Sequence, residues 1–145
     1  MDEIILQAKN IFKSYSNGEE NLSVLSDLSL TAKQNEIITI TGQSGSGKST
    51  LLNILSTLDQ PDSGIVEIDG QNIINLDKNH TAKIRNEKIG FVFQFHHLLS
   101  EFTALENVLM PVWIKGSIQN KKEEAIQLFD KLNLTSKVHY FPNQL

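Results

Sequence analysis

Two stretches near the start, EIILQAKNIFKSY (3–15) and LSVLSDLSLTA (22–32), mix apolar and polar residues as half-buried strands do, with a polar loop over 16–21 between them. Ile37, Ile38, Thr39, Ile40 and Thr41 are almost all β-branched and predict a buried strand. Leu51, Leu52, Ile54, Leu55 and Leu58 recur at helical spacing and predict an amphipathic helix that begins near Gly47. DQPDSG (59–64) is a dense turn signal, and IVEIDG (65–70) alternates as a short strand. HTAKIRNEK (80–88) reads as a helix, and IGFVFQF (89–95) as an apolar, β-rich strand. The stretch 96–114 is apolar but interrupted by Pro111. KKEEAIQLFDKLNL (121–134) reads as a helix with Ala125, Leu128, Phe129 and Leu132 on one face. Strands and helices mixed in this order predict an α/β domain spanning 1–145.

Between the β-branched run and the leucine-rich helix stands GQSGSGKST (42–50). Glycine in a regular element costs about 0.5–1 kcal/mol relative to alanine, so its repetition here points to backbone that must stay bare. A loop that turns a strand into a helix delivers the helix N-terminus, whose unpaired N–H groups and partial positive charge attract anions. Gly42, Gly45 and Gly47 let those amides wrap a phosphate closely, Lys48 adds a full charge, and Ser49 offers a hydroxyl to a magnesium ion. The pattern is G-x-x-x-x-G-K-[ST] in a strand–loop–helix context. The candidate nucleotide-binding residues are Gly42, Gln43, Ser44, Gly45, Ser46, Gly47, Lys48, Ser49 and Thr50. A nucleotide with Mg2+ is the ligand expected, and the loop alone leaves GTPases, kinases and ATPases open.

Charge narrows the partners. The 145 residues carry a net charge of −4, and the one basic pair, Lys121–Lys122, is followed at once by Glu123–Glu124. That excludes a broad nucleic-acid face. The absence of cysteine excludes a disulfide framework and a zinc–thiolate site. No basic leader precedes a long apolar run, and no apolar run reaches the roughly 18 residues of a membrane span, so a cytoplasmic location is expected. A guanine-reading N-K-x-D is not present; the nearest string, at 120–123, lacks the aspartate. A small-molecule kinase would need a lid rich in arginine, and Arg85 is the only one.

Tyr15 at the end of the first strand, GFVFQ ending in Gln94, and GQSGSGKST together resemble the ATP-binding subunits of ABC transporters. The stretches NILSTLDQPDSG, IRNEKIGFVFQ and VFQFHHLLSEFTALENVLMP are similar to the branch that serves lipoprotein release, and related macrolide-export and cell-division ATPases share most of the pattern. Proline in place of Ser100, and glycine in place of Ser56 and Asn35, would be usual there. The resemblance implies a P-loop NTPase fold with early antiparallel strands and a partial, mainly parallel core sheet. It implies that the nucleotide is ATP, that Tyr15 stacks on adenine, that Gln94 reaches the metal and γ-phosphate, and that Lys48 and Gln94 serve catalysis, with Ser49 and Gln94 at the Mg2+. It implies membrane-spanning partner subunits docking near His96, His97, Leu98 and Phe102, a second ATP-binding subunit, and a peripheral position on the cytoplasmic face of the inner membrane.

The same resemblance sets an expectation about hydrolysis. The family's Asp-Glu pair after a second apolar strand, and its switch histidine, are not found in these residues, and the signature Leu-Ser-Gly-Gly would begin at Leu145. The residues read as the N-terminal part of such an ATPase. They are expected to bind nucleotide weakly and to turn it over poorly.

Overall fold

A computed structural model of the chain describes residues 3–16, 18, 20–95, 97–116 and 121–145. His96, a candidate docking residue, and Asn120, the first residue of the string at 120–123, lie outside the described residues. The chain gathers into two compact units, Met1–Gly90 and Phe91–Leu145.

The first unit is built on one antiparallel sheet. Strands β1 (Ile4–Ser16), β2 (Asn21–Lys33), β3 (Ser63–Ile68) and β4 (Gln71–Asn72) lie in the order β2-β1-β3-β4. β1 carries a bulge: Lys9 pairs with Ile65 and Phe12 with Ser63, so Gly64 alone faces Asn10 and Ile11. Asn10 takes a left-handed φ of 50° and donates through Nδ2 to Asp27 Oδ1 at 2.6 Å. The extra residue turns Ile11 fully into the core, beside Ala8, Leu25, Val66 and Ile68.

Helix α1 (Lys48–Leu55) packs Leu51, Ile54 and Leu55 into that core. Leu52 and Leu58, placed on the same face by the spacing, are exposed: Leu58 lies past the end of the helix, which stops at Leu55. Helix α2 (Lys78–Lys88) starts at Asp77, whose side chain accepts from the N–H groups of Asn79 and His80. No residue of α2 is buried, so specific bonds matter to its attachment. Arg85 donates from Nη2 to the Thr57 carbonyl at 2.7 Å and from Nε to the Thr57 hydroxyl at 3.1 Å. Thr57 is buried with a left-handed φ of 62°. Arg85→Ala strands that carbonyl and is expected to destabilise the unit by about 1–3 kcal/mol. An unchanged urea midpoint would show the two bonds to be idle.

Two predicted strands do not pair. Residues 37–41 and 89–95 join no ladder, and every ladder among the described residues is antiparallel, so the parallel part of the expected sheet is not formed there. Ile37 is 93% exposed and Val92 96%, while Ile40 and Ile89 lean on the core of the first unit. A β-branched run becomes a buried strand only when neighbours satisfy its N–H and C=O groups. Neither run meets such a neighbour. The α/β class stands on the antiparallel sheet and its helices.

The second unit holds α3 (Ala104–Ile114) and α4 (Lys121–Lys131). Ala104, Leu105, Leu109, Ala125, Phe129 and Val138 form its core. Thr103 and Glu106 make a capping box: the Glu106 N–H donates to Thr103 Oγ1, and the Thr103 N–H to Glu106 Oε2 at 2.8 Å. The carbonyls of Tyr140 and Val138 take the N–H groups of Ala104 and Leu105, so the C-terminal segment completes the cap. Pro111 sits inside α3 without ending it. Leu128 and Leu132, expected on the buried face of α4, are exposed; Leu132 falls just beyond the helix.

Candidate nucleotide site

After Thr41 the chain turns sharply, with the Ser46 N–H donating to the Gln43 carbonyl at 3.3 Å. Gly45 and Gly47 take left-handed φ values of 81° and 87°, and Gly47 is the N-cap of α1. Gly47 is buried against β2: a Cβ there would stand 2.9 Å from the Val24 carbonyl oxygen and from Leu25. A Cβ on Gly42 would stand 2.6 Å from Ser46 Oγ. Position 47 therefore demands glycine for space as well as for backbone, whereas the Ser46 side chain could turn aside from a Cβ at Gly42. No side chain caps α1, so its first amides face the loop.

Lys48 reaches back over this loop. Its Nζ donates to the carbonyls of Gly42 at 2.9 Å and Gln43 at 2.6 Å, and stands 3.4 Å from Ser46 Oγ. The ammonium is thus held inside the ring of backbone that the glycines create. Gln43, Ser44, Ser46 and Ser49 are exposed, and Thr50 is half-buried in the first turn of α1. A bare cradle, an uncapped helix N-terminus and an ammonium suit phosphate oxygens, and the Ser49 hydroxyl suits Mg2+, a cation that takes oxygen ligands.

Tyr15 stands near the end of β1, 43% exposed. Its hydroxyl donates to Asp59 Oδ2 at 2.8 Å and also hydrogen-bonds the Thr50 side chain. Lys13 Nζ lies 5.1 Å from the ring centroid and donates to Asp59 Oδ1 at 3.0 Å. Partial burial, then the Asp59 carboxylate, raise the Tyr15 pKa above the ordinary phenol value against the opposing pull of Thr50 and Lys13. Burial alone would lift Asp59, but the bonds from Tyr15, Lys13 and the Gln60 N–H prevail and hold its pKa below the usual range.

The first unit therefore unites Tyr15 with the helix of the 42–50 loop. Gln94 is exposed and belongs to the second unit, as do His97, Leu98 and Phe102. His97 is exposed with a φ of 46° and meets Phe93 edge-on at 4.7 Å. Leu98 is exposed, and Phe102 is half-buried beside Trp113. Reading the sequence missed Lys13, Asp59 and Asn107. Lys13 and Tyr15 sit two apart on a strand, hence on one face, a signal that was available. Asn107 pins 99–103: Nδ2 donates to the carbonyls of Leu99, Phe102 and Thr103, and Oδ1 accepts from the Leu99 N–H.

A glycine loop closing on a lysine at a helix N-terminus, backed by a sheet, defines the phosphate-loop class of nucleotide-binding domains. The sequence profile described as "ABC transporter" matches residues 25–145, and the chain belongs to that family. It is 44% identical to the "Lipoprotein-releasing system ATP-binding protein LolD" of Buchnera aphidicola subsp. Schizaphis graminum, covering 99% of this chain and 63% of that protein. It is 45% identical to "Lipoprotein-releasing system ATP-binding protein LolD 2" of Chlorobaculum tepidum, over 99% of this chain and 61% of that one. Among solved structures it is similar to the ATP-binding cassette MJ0796, described as a dimer in a post-hydrolysis state bound to ADP and Pi. The TM-score is 0.91 at 40% identity, over 97% of this chain and 63% of that chain. The chain thus spans a little under two-thirds of the length of these relatives. No helix among the described residues is long and apolar enough to cross a membrane.

Proposed function

We propose that this chain binds Mg-ATP through residues 42–50 as the ATP-binding subunit of an ABC transporter of the lipoprotein-releasing type. The observation that carries the reading is the loop: Gly47, left-handed and with no space for a Cβ, opens an uncapped helix, and Lys48 Nζ is held over the carbonyls of Gly42 and Gln43. In this reading the amides of Gly42, Gln43, Ser44, Gly45, Ser46 and Gly47 cradle phosphates, with Thr50 in the first helical turn behind them. Lys48 neutralises phosphate charge, Ser49 and Gln94 hold Mg2+, and Tyr15 stacks on the base. His96, His97, Leu98 and Phe102 receive the membrane-spanning subunits. A second ATP-binding subunit completes the assembly, as the dimer reported for MJ0796 suggests. Its work is to couple ATP binding and hydrolysis to release of lipoproteins from the inner membrane, on the cytoplasmic face.

The test is a melting curve with and without Mg-ATP, with phosphate release assayed on the same sample. Ligand at a hundred times its dissociation constant stabilises a fold by about 2.7 kcal/mol. A clear upward shift that shrinks when EDTA removes Mg2+ is expected. Turnover by these 145 residues alone is expected to stay near background, because no Asp-Glu pair follows an apolar strand in them. No shift at millimolar Mg-ATP would sink the nucleotide reading. Robust release would show that the catalytic acid lies among these residues.

A further inference from the structure

We propose that Asp59 is a positioning residue for the nucleotide base: its carboxylate fixes the Tyr15 ring in the orientation that receives adenine. The proposal rests on the reading that Tyr15 stacks on the base. A half-exposed aromatic at a strand end samples several rotamers, and ordering it on binding weakens affinity; a ring already fixed avoids that loss. The geometry provides the fixing. Asp59 divides its two oxygens, with Oδ1 accepting from Lys13 Nζ at 3.0 Å and from the Gln60 N–H at 2.7 Å. Oδ2 is left to accept the Tyr15 hydroxyl at 2.8 Å.

The backbone beneath the ring is clamped by the same turn. Asp62 Oδ2 accepts from the Ser14 N–H at 2.7 Å and from Ser14 Oγ at 2.6 Å, and the Asp62 N–H donates to the Phe12 carbonyl at 2.9 Å. Lys13 Nζ also donates to the Gln60 carbonyl at 2.7 Å. Residues 12 to 15 of β1 are therefore each tied to residues 59–62. That turn directly follows α1, so the ring is referenced to the helix that carries the phosphate loop. Lys13 lies over one face of the ring, and the opposite face is the one offered to a base.

A role confined to holding the sheet together would affect every ligand alike; a role in placing the ring affects only ligands with a base. A ribose-labelled fluorescent ATP is displaced from the chain by Mg-ATP and, separately, by inorganic triphosphate. Asp59→Ala and Tyr15→Phe each break the same bond from opposite ends. Each is expected to weaken ATP roughly three- to tenfold and leave triphosphate unchanged. The double variant is expected to be no weaker than either single one. Tyr15→Phe spares the carboxylate's bonds to Lys13 and Gln60, so it carries the test if Asp59→Ala fails to fold. Equal losses for ATP and triphosphate, additive losses in the double variant, or wild-type affinity in Tyr15→Phe would each overturn the proposal. Tyr15→Ala separates the two layers. If it leaves ATP affinity unchanged, the stacking role falls and this proposal with it. If it weakens ATP alone while Asp59→Ala and Tyr15→Phe do nothing, stacking stands and only the role of Asp59 is lost.

Discussion

Lys48→Ala is expected to weaken Mg-ATP binding roughly ten- to hundredfold, the scale of one or two charge-assisted hydrogen bonds at about 1.5–3 kcal/mol each. The Lys48 ammonium now donates to the Gly42 and Gln43 carbonyls and stands near Ser46 Oγ. Nucleotide offers it phosphate oxygens, which are charged where carbonyls are only dipolar, so the exchange favours the bound state. The loop keeps its shape in the variant through Gly45, Gly47 and the turn from Gln43 to Ser46, none of which needs the lysine. Melting without ligand should therefore shift little, since the lost bonds are solvent-exposed. Inorganic triphosphate should lose as much affinity as ATP, because the lysine addresses phosphate and not base. Titrating fluorescent ATP into both proteins with Mg2+ present measures the difference. Equal affinities would remove the phosphate assignment of the loop, and a loss confined to ATP would move Lys48 to the base.

That contrast between Lys48 and Tyr15 also marks what could be read in advance. The loop was legible because its demands are local: glycine where φ turns positive, a lysine next to it, and leucines at helical spacing after it. β1, β2, β3 and α2 were legible for the same reason, since alternation, turn residues and caps lie within a few positions of each other. The runs at 37–41 and 89–95 show the limit. Their β-branched and aromatic residues state a preference, but a strand is formed by a partner, and Ile37 and Val92 face solvent without one. Leu132 fails differently: the helical period was carried past the end of α4 at Lys131, while Leu128 lies within the helix and is exposed all the same. Thr103 and Glu106 had the S/T-x-x-E spacing of a capping box in plain view. The anchoring of Tyr15 was not legible, because its partner Asp59 is 44 residues away and arrives only through the packing of α1 on the sheet.

The sheet itself rests on a close approach that one methyl group should break. Gly64→Ala is expected to destabilise the chain by about 2–5 kcal/mol, summing the costs of a left-handed alanine and of overpacking. Gly64 has a φ of 110°, and a Cβ there would stand 2.5 Å from the Asn10 carbonyl oxygen and 2.8 Å from that of Lys9. Both obstacles are backbone, so no side chain can rotate away. Relief requires β1 and β3 to separate where Lys9 pairs with Ile65 and Phe12 with Ser63, and that opens the core around Ile11. Typical domain stability is only about 5–15 kcal/mol, so a large share of it is at stake. Gly70→Ala is the matched control: its φ is 74°, yet nothing lies within 4 Å of the added Cβ. It should cost only the conformational part, about 1–2 kcal/mol. Urea midpoints of the two variants against wild type measure the gap. A shift for Gly64→Ala no larger than for Gly70→Ala would show that the strands yield to the methyl group and that the bulge at Asn10 is not rigid.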